Sequence, residues 1–185
     1  MLVQQHPDQQ GERVAAEQFV GRGVLGEGDG RHPDDAAGED ALVRAVVSRV
    51  STAAVIVDGD AVGEIGPGLL SLVGVGREDD EASARALARK IHGLRIFPTE
   101  DGARSASDLD LPVLVVSQFT LYADTRKGRR PSWQDAAPGD VAEPLVGVVV
   151  EELRRRGCTV ATGVFGARMQ VSSVNEGPMT LLLET

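Results

Sequence analysis

The 185-residue chain contains one cysteine, Cys158, and three histidines, two of which, His6 and His32, lie near its N-terminus. A single cysteine excludes an intrachain disulfide and a cysteine-based zinc site. It suits a reducing compartment, and the cytoplasm is the expected location. Aromatic residues make up only 3% of the chain, so the core must be built from Val, Leu, Ile and Ala. No apolar run approaches the roughly 20 residues that cross a bilayer. The opening residues do not read as a secretory signal, because no basic stretch precedes an apolar one. Walker-type glycine loops are missing, as are three or four metal ligands at suitable spacing; neither metal nor other cofactor is expected. His92 is the one histidine beyond the N-terminal stretch. It sits at the end of a helical pattern, where capping is the ordinary role, and no Ser-His-Asp triad is expected around it. An enzyme made from this chain must work by positioning, hydroxyls and backbone groups.

What is present is an ordinary globular composition with an uneven charge. Apolar residues are 42% and the net charge is −9. Residues 1–43 carry nine acids and three bases, whereas residues 44–185 carry nineteen and sixteen. The acidity is concentrated in the first stretch, and the remainder is nearly balanced. Residues 1–42 are rich in Gly, Asp, Glu and Gln and lack periodicity, so they are expected to be disordered. The string GRGVLG at 21–26 fits G-x-G-x-x-G, but no strand precedes it and no helix follows, so it does not read as a phosphate loop. One domain is expected over residues 43–185.

Within that domain the periodicity alternates between strand and helix. VRAVVSRVSTAAVIV, from Val43, is β-branched, and Asp58-Gly59 signals a hairpin. Gly66-Pro67-Gly68 marks a turn before a strand over 69–75. REDDEASARALARKIHGLR predicts a helix, with Ala84, Leu87, Ala88 and Ile91 on one face and Gly93 as its C-cap. LRIFP reads as a strand, residues 99–110 as a polar loop and PVLVVSQFTLYA as an apolar strand. VAEPLVGVVVEELRRRG predicts a second helix, with Pro144 in its first turn and Gly157 at its end. CTVATGVFG, MQVSSVNEG and MTLLLE complete the strands. The expected fold is α/β: mixed β-sheets forming a β-rich core, with two helices packed outside in a layered arrangement.

Two stretches rise above this background. Ser117-Gln118-Phe119-Thr120 puts hydroxyl, amide and hydroxyl where an apolar strand meets a loop, a common mount for a site. The bland alternative is hydroxyls satisfying their own backbone. RKGRRPSW supplies Arg126, Lys127, Arg129 and Arg130, with Trp133 close behind. Phosphate recognition is the functional reading, and a solvated loop is the bland one. Arg154, Arg155 and Arg156 complement a helix C-terminus or form outer phosphate contacts. A third feature is Gly177-Pro178, placed inside what otherwise reads as strand, where proline removes a ladder donor.

Taken together, SQFTLYADTRKGRRPSW and VNEGPMT closely resemble the D-aminoacyl-tRNA deacylases. Both the Ser-Gln-x-Thr and Asn-x-Gly-Pro-x-Thr patterns of that family are intact, in order, and the likeness runs from Val43 to Thr185. Family members open with Met-Arg-Ala-Val-Val, so Val43 stands where an initiator methionine is expected, and residues 1–42 are expected to be a non-native extension.

The resemblance implies a homodimer that hydrolyses the ester between a D-amino acid and the 3′-terminal adenosine of tRNA. Glycine mischarged on tRNA(Ala) is an implied second substrate, and L-aminoacyl-tRNA is spared. It implies that Gly177-Pro178 is a cis peptide whose carbonyls enter the partner's pocket, bind the amino group and exclude an L side chain. Such a filter reads no side chain and rejects by steric clash. By the same resemblance, Asn175, Met179, Thr180 and Arg49 shape the selectivity segment, with Arg49 against the Gly-Pro loop and Met179 lining the pocket. Backbone N–H groups near Phe119 and Thr120 are the implied oxyanion donors, while Ser117 and Gln118 order the carbonyl or water. Attack by water, assisted by the substrate's ribose hydroxyl, needs no histidine; Thr120 as nucleophile is the alternative. Two rivals remain at this point: a non-catalytic nucleic-acid-binding module built on RKGRR, and a small-molecule esterase.

Overall fold

The computed structural model describes residues 43–126 and 129–185. Strand β1 (Arg44–Val57) is the spine of the sheet. Along one edge it pairs antiparallel with β2 (Asp60–Ile65) over its second half and with β3 (Gly68–Gly74) over its first. Asp58 and Gly59, both with positive φ, make the β1–β2 turn, as the Asp-Gly signal predicts. Residues 66–67 then turn β2 into β3. Helix α1 (Glu81–Gly93) follows, with Asp80 and Ser83 forming a reciprocal capping box that satisfies two otherwise orphaned amides.

The next strands are β4 (Arg95–Thr99) and β5 (Gly102–Ser105), which pair with each other as a small separate sheet. Strand β6 (Val113–Ser117) returns parallel to β3, and β7 (Val160–Thr162) lies parallel beyond it. Helix α2 (Gly139–Arg155) intervenes. It ends in a Schellman motif: Gly157, at φ +90, donates to the Arg154 carbonyl, and Cys158 donates to Leu153. A glycine is favoured at that left-handed position. Strand β8 (Gln170–Glu184) closes the chain and pairs antiparallel with the free edge of β1.

Side-chain alternation splits the core in two. Leu69, Val73, Val113 and Val115 face α1 and α2, where they meet Ala84, Leu87, Ile91, Leu145, Val149 and Leu153. Leu70, Leu114 and Val116 face the other way, against Val50, Ala53, Val55 and Ile65. Strands buried on both faces read as continuous apolar runs, which is why β3 and β6 look that way in sequence. A Cβ added at Gly63 of β2 would collide with the carbonyl of Thr162 in β7. The sheet therefore curls until its two edges almost touch.

Four expectations are corrected. Polar residues 99–110 are not all loop, because β5 hydrogen-bonds to β4 and a 3-10 turn follows at Ser107–Leu109. The apolar strand expected to run to Ala123 stops at Ser117, and Phe119–Tyr122 coil into a 3-10 turn. Gly93 is the last helical residue of α1, and Leu94 caps it with ordinary extended dihedrals. Pro144 lies in the second turn of α2, since that helix begins at Gly139.

Candidate active site

The stop at Ser117 is built by the neighbouring strand. Ser117 is level with Val73 of β3, and the Gln118 amide donates to the Val73 carbonyl at 2.7 Å. Beyond that bond the glycines at 74 and 76, on either side of the buried Val75, leave room for the chain to turn. A Cβ at Gly74 would stand 3.0 Å from both the Gln118 carbonyl and Leu121 Cβ. Phe119 and Thr120 open the 3-10 turn, and Leu121 is the first residue in it whose amide is bonded back, to the Gln118 carbonyl. The first amides of such a turn have no partner inside it, so Phe119 and Thr120 offer two adjacent N–H groups. The Gln118 side-chain amide donates to Thr120 Oγ1.

This turn forms one wall of a cavity of about 430 Å³. Ser117, Gln118 and Phe119 line it, with Trp133, Ala137 and Phe165 opposite. Phe119, 57% exposed, meets Trp133 edge to face at 5.9 Å. The loop carrying Trp133 is pinned to β3's extension, where Ala137 donates to Val75 and Arg77 donates to Asp135. Phe165 carries no recognisable motif and reaches the cavity through the β7–β8 connection, so sequence periodicity did not mark it. His92 is elsewhere, its Nε2 3.3 Å from the Arg156 carbonyl.

The basic loop springs from the same place. Asp124 and Ser132 exchange backbone hydrogen bonds at 2.8 and 3.0 Å, closing the loop at its base. Arg126 is highly exposed, and its guanidinium forks onto the Asp124 carboxylate at 2.9 and 3.0 Å. Those bonds hold the Asp124 carboxyl down at about 2. Arg129 and Arg130 are exposed; Lys127 lies outside the described residues. Arg155 and Arg156 grip the buried Glu152, and Arg154 pairs with Glu151.

The Gly177–Pro178 peptide is cis. Strand β8 carries it as a bulge: Asn175 pairs with Val50 and Thr180 with Ser48, so Glu176–Met179 lie opposite Arg49 alone. The Asn175 side-chain amide spans the bulge, donating to the carbonyls of Arg49 (3.0 Å) and Met179 (3.4 Å) and to Thr180 Oγ1 (3.3 Å). Arg49 is 9% exposed; it donates to the Ile96 carbonyl and pairs with Glu176. Met179 packs against the helix-side core and does not line the cavity beside Ser117. Residues 170–178 are all exposed, including Val171 and Val174.

Within one chain the two motifs do not meet. From β6 to β8 the sheet passes through β3 and β1, three strand spacings or roughly 14 Å. Ser117 is level with Val73 and so with Ala45, whereas the bulge is level with Arg49, four residues or roughly 13 Å further along β1. Among the described residues no three His, Cys, Asp or Glu side chains converge as metal ligands would, and no helix is long and apolar enough to cross a membrane.

Residues 46–184 match the family described as D-Tyr-tRNA(Tyr) deacylase. The chain belongs to this deacylase family. A D-aminoacyl-tRNA deacylase of Nocardia farcinica is 61% identical over 146 residues, covering 77% of this chain and all of that protein. One of Thermobifida fusca is 63% identical over 143 residues, covering 77% and 99%. Among solved structures, a c-Myc DNA unwinding element binding protein is 39% identical with a TM-score of 0.72, covering 77% of this chain and 98% of that one. A probable eukaryotic D-amino acid tRNA deacylase, 16% identical with a TM-score of 0.66 and covering 78% and 100%, shares the fold. The deacylase family is a family of hydrolases, and the layered mixed-sheet fold is the one expected from the sequence.

Proposed function

We propose that the chain hydrolyses the ester between a D-amino acid, or glycine mischarged on tRNA(Ala), and the 3′-terminal adenosine of tRNA, and that it does so as a cytoplasmic homodimer. The observation that carries this reading is a 3-10 turn opening at Phe119 and Thr120, whose first amides have no partner inside the turn, beside a cavity lined by Ser117, Gln118, Phe119, Trp133 and Phe165. Aromatic walls suit a splayed-out base. With the terminal adenine in that cavity, the ester carbonyl falls beside the two amides. They stabilise the charge that develops on its oxygen, a role that in other hydrolases contributes about 3–4 kcal/mol.

Ser117 and Gln118 order the carbonyl and the attacking water. Thr120 Oγ1 already accepts from Gln118, and His92, the one histidine among the described residues, lies elsewhere, against the Arg156 carbonyl. Water assisted by the neighbouring ribose hydroxyl is therefore the favoured nucleophile. Arg126, Lys127, Arg129 and Arg130 contact the acceptor-stem phosphates, because their loop is closed at Asp124–Ser132 immediately after the turn.

The distance between the turn and the Gly177–Pro178 bulge within one chain supports a site completed by a second copy. In this reading the exposed segment of β8 around Val171 and Val174 is covered by the partner. The Gly177 and Pro178 carbonyls then enter the partner's site beside Ser117–Thr120, bind the substrate's amino group and leave no room for an L side chain. Asn175, Thr180 and Arg49 hold the bulge in that orientation, and Met179 supports it from the core side.

A second reading, nucleic-acid binding without catalysis, is favoured by the basic loop and by the name of the 39%-identical solved structure. The two readings separate when D-Tyr-tRNA, labelled in the amino acid, is incubated with the purified protein. Release of free D-tyrosine that is lost in Gln118→Ala supports the hydrolase. Retention of the RNA with the ester intact supports the binding module.

A further inference from the structure

The turn that presents the Phe119 and Thr120 amides needs an anchor at its far end, and the structure supplies one that no motif marks. Tyr122 closes the turn and is 8% exposed. The hydroxyl end of its ring lies against Gly76, where an added Cβ would be 2.8 Å from Cε1 and 2.9 Å from Cζ and the hydroxyl. Its hydroxyl donates to Asp79 Oδ2 at 3.2 Å. That same oxygen accepts the Gly76 amide at 2.6 Å, and Asp79, also 8% exposed, donates its own amide to the Gly76 carbonyl. Arg44, from β1, covers the other side, with its guanidinium carbon 4.6 Å from the Tyr122 ring centroid and Nη1 donating to the Leu121 carbonyl at 3.4 Å. Arg44 is itself paired with Glu184 at 2.8 Å.

We propose that Asp79, acting through the Tyr122 hydroxyl, is a positioning residue that fixes the Gln118–Tyr122 turn so that the Phe119 and Thr120 amides are aimed at the reacting carbonyl. The inference rests on the reading of that turn as the oxyanion-binding end of a deacylase site. One end of the turn is held by the bond from Gln118 to Val73. The other is held through Tyr122 and Leu121, where Asp79 and Arg44 bond to it. The turn is short, so a shift at Tyr122 is passed to the amides of Thr120 and Phe119 with little room for absorption. Misplacement of a reacting group by an ångström costs up to about a hundredfold in rate. Neither Asp79 nor Tyr122 lines the cavity, so their loss changes the geometry of the transition-state contacts and leaves the binding surface in place.

The test compares Tyr122→Phe, Asp79→Ala and Asp79→Asn with the wild type in two measurements on the full-length protein. The first is steady-state hydrolysis of D-Tyr-tRNA. The second is amide hydrogen exchange at Leu121 and Ala123, whose amides donate to the carbonyls of Gln118 and Thr120. Tyr122→Phe keeps the ring against Gly76 and loses only the hydroxyl, which guards against simple misfolding. The Asn variant retains an oxygen that accepts from both Gly76 and Tyr122. The proposal expects kcat to fall on the order of tenfold in Tyr122→Phe and Asp79→Ala with KM within about twofold, and to recover in Asp79→Asn. It expects faster exchange at Leu121 and Ala123 in the two impaired variants. Faster exchange with kcat unchanged overturns it, as does an unchanged exchange rate, and as does an equal change in kcat for Asn and Ala. A wild type that cleaves no D-Tyr-tRNA overturns the deacylase reading itself and removes the catalytic role assigned here, an outcome distinct from active wild type with indifferent variants.

Discussion

The Nε of Arg49 lies 3.5 Å from a carboxylate oxygen of Glu176, the residue that precedes Gly177. Arg49 is buried and Glu176 is half exposed, so the pair's electrostatic contribution to stability is small. Its consequence is orientational: a guanidinium anchored on the Ile96 carbonyl holds the shoulder of the bulge. Glu176→Gln weakens that hold without removing a side chain. It is expected to leave D-Tyr-tRNA cleavage within about threefold and to raise L-Tyr-tRNA cleavage, narrowing selectivity by about tenfold, the worth of one ordinary polar contact. Initial rates on the two esters check this.

Thr120→Ala removes the oxygen that accepts from Gln118 but leaves the Thr120 amide in the turn. If water attacks, the rate on D-Tyr-tRNA falls by less than about a thousandfold. A larger loss, typical of removing a nucleophile, restores Thr120 to that role. Single-turnover kinetics separate the two.

The basic loop gives a graded expectation. Arg126 already spends its charge on Asp124, whereas Arg129 and Arg130 show no such fork among the described residues. Arg129→Ala and Arg130→Ala should each weaken tRNA binding and flatten its salt dependence by roughly one unit of slope. Arg126→Ala should do less. A filter-binding titration across salt concentrations reads all three, and a uniform response would reject the ranking.

The Arg154–Arg156 run illustrates what sequence alone does not reveal. Its composition suggests dipole complementation or phosphate contact, but in the fold Arg155 and Arg156 converge on Glu152, one turn back and nearly buried. Bonds from Arg155 and then Arg156 hold that carboxyl at about 2, below its ordinary 4.5. A carboxyl lowered in the folded state adds stability that is fully present above pH 4.5 and is lost as pH falls toward 2. Asp79 has the opposite sign. Burial raises its pKa above 3.8, so its contribution diminishes as pH rises through that range. Thermal melts at about pH 6 and about pH 3 should show a larger drop for wild type than for Glu152→Gln, because the gap between the two is widest at about pH 6 and narrows on the acid side.

Much of the frame was legible because it rests on local pattern. Ala84, Leu87, Ala88 and Ile91 announce α1, Asp58-Gly59 announces the first hairpin and Gly157 announces the end of α2. What escaped depends on partners distant in sequence. Strand β5 has no apolar alternation and exists because β4 pairs with it. The 3-10 turn at Phe119 exists because Gly74 and Gly76, over forty residues earlier, leave it space. Phe165 and Trp133 become cavity walls only when two connections fold over the same strand end. The Gly177–Pro178 interruption was visible, but its form was not: β8 runs through it as a single strand, with four residues bulged opposite Arg49.

Chirality is where the whole reading is most exposed. The kcat/KM for D-Tyr-tRNA divided by that for L-Tyr-tRNA, measured on the same tRNA preparation with the wild-type protein, should be at least about a hundred, as a steric rejection worth about 3 kcal/mol requires. A ratio near one, or failure to release D-tyrosine, contradicts it.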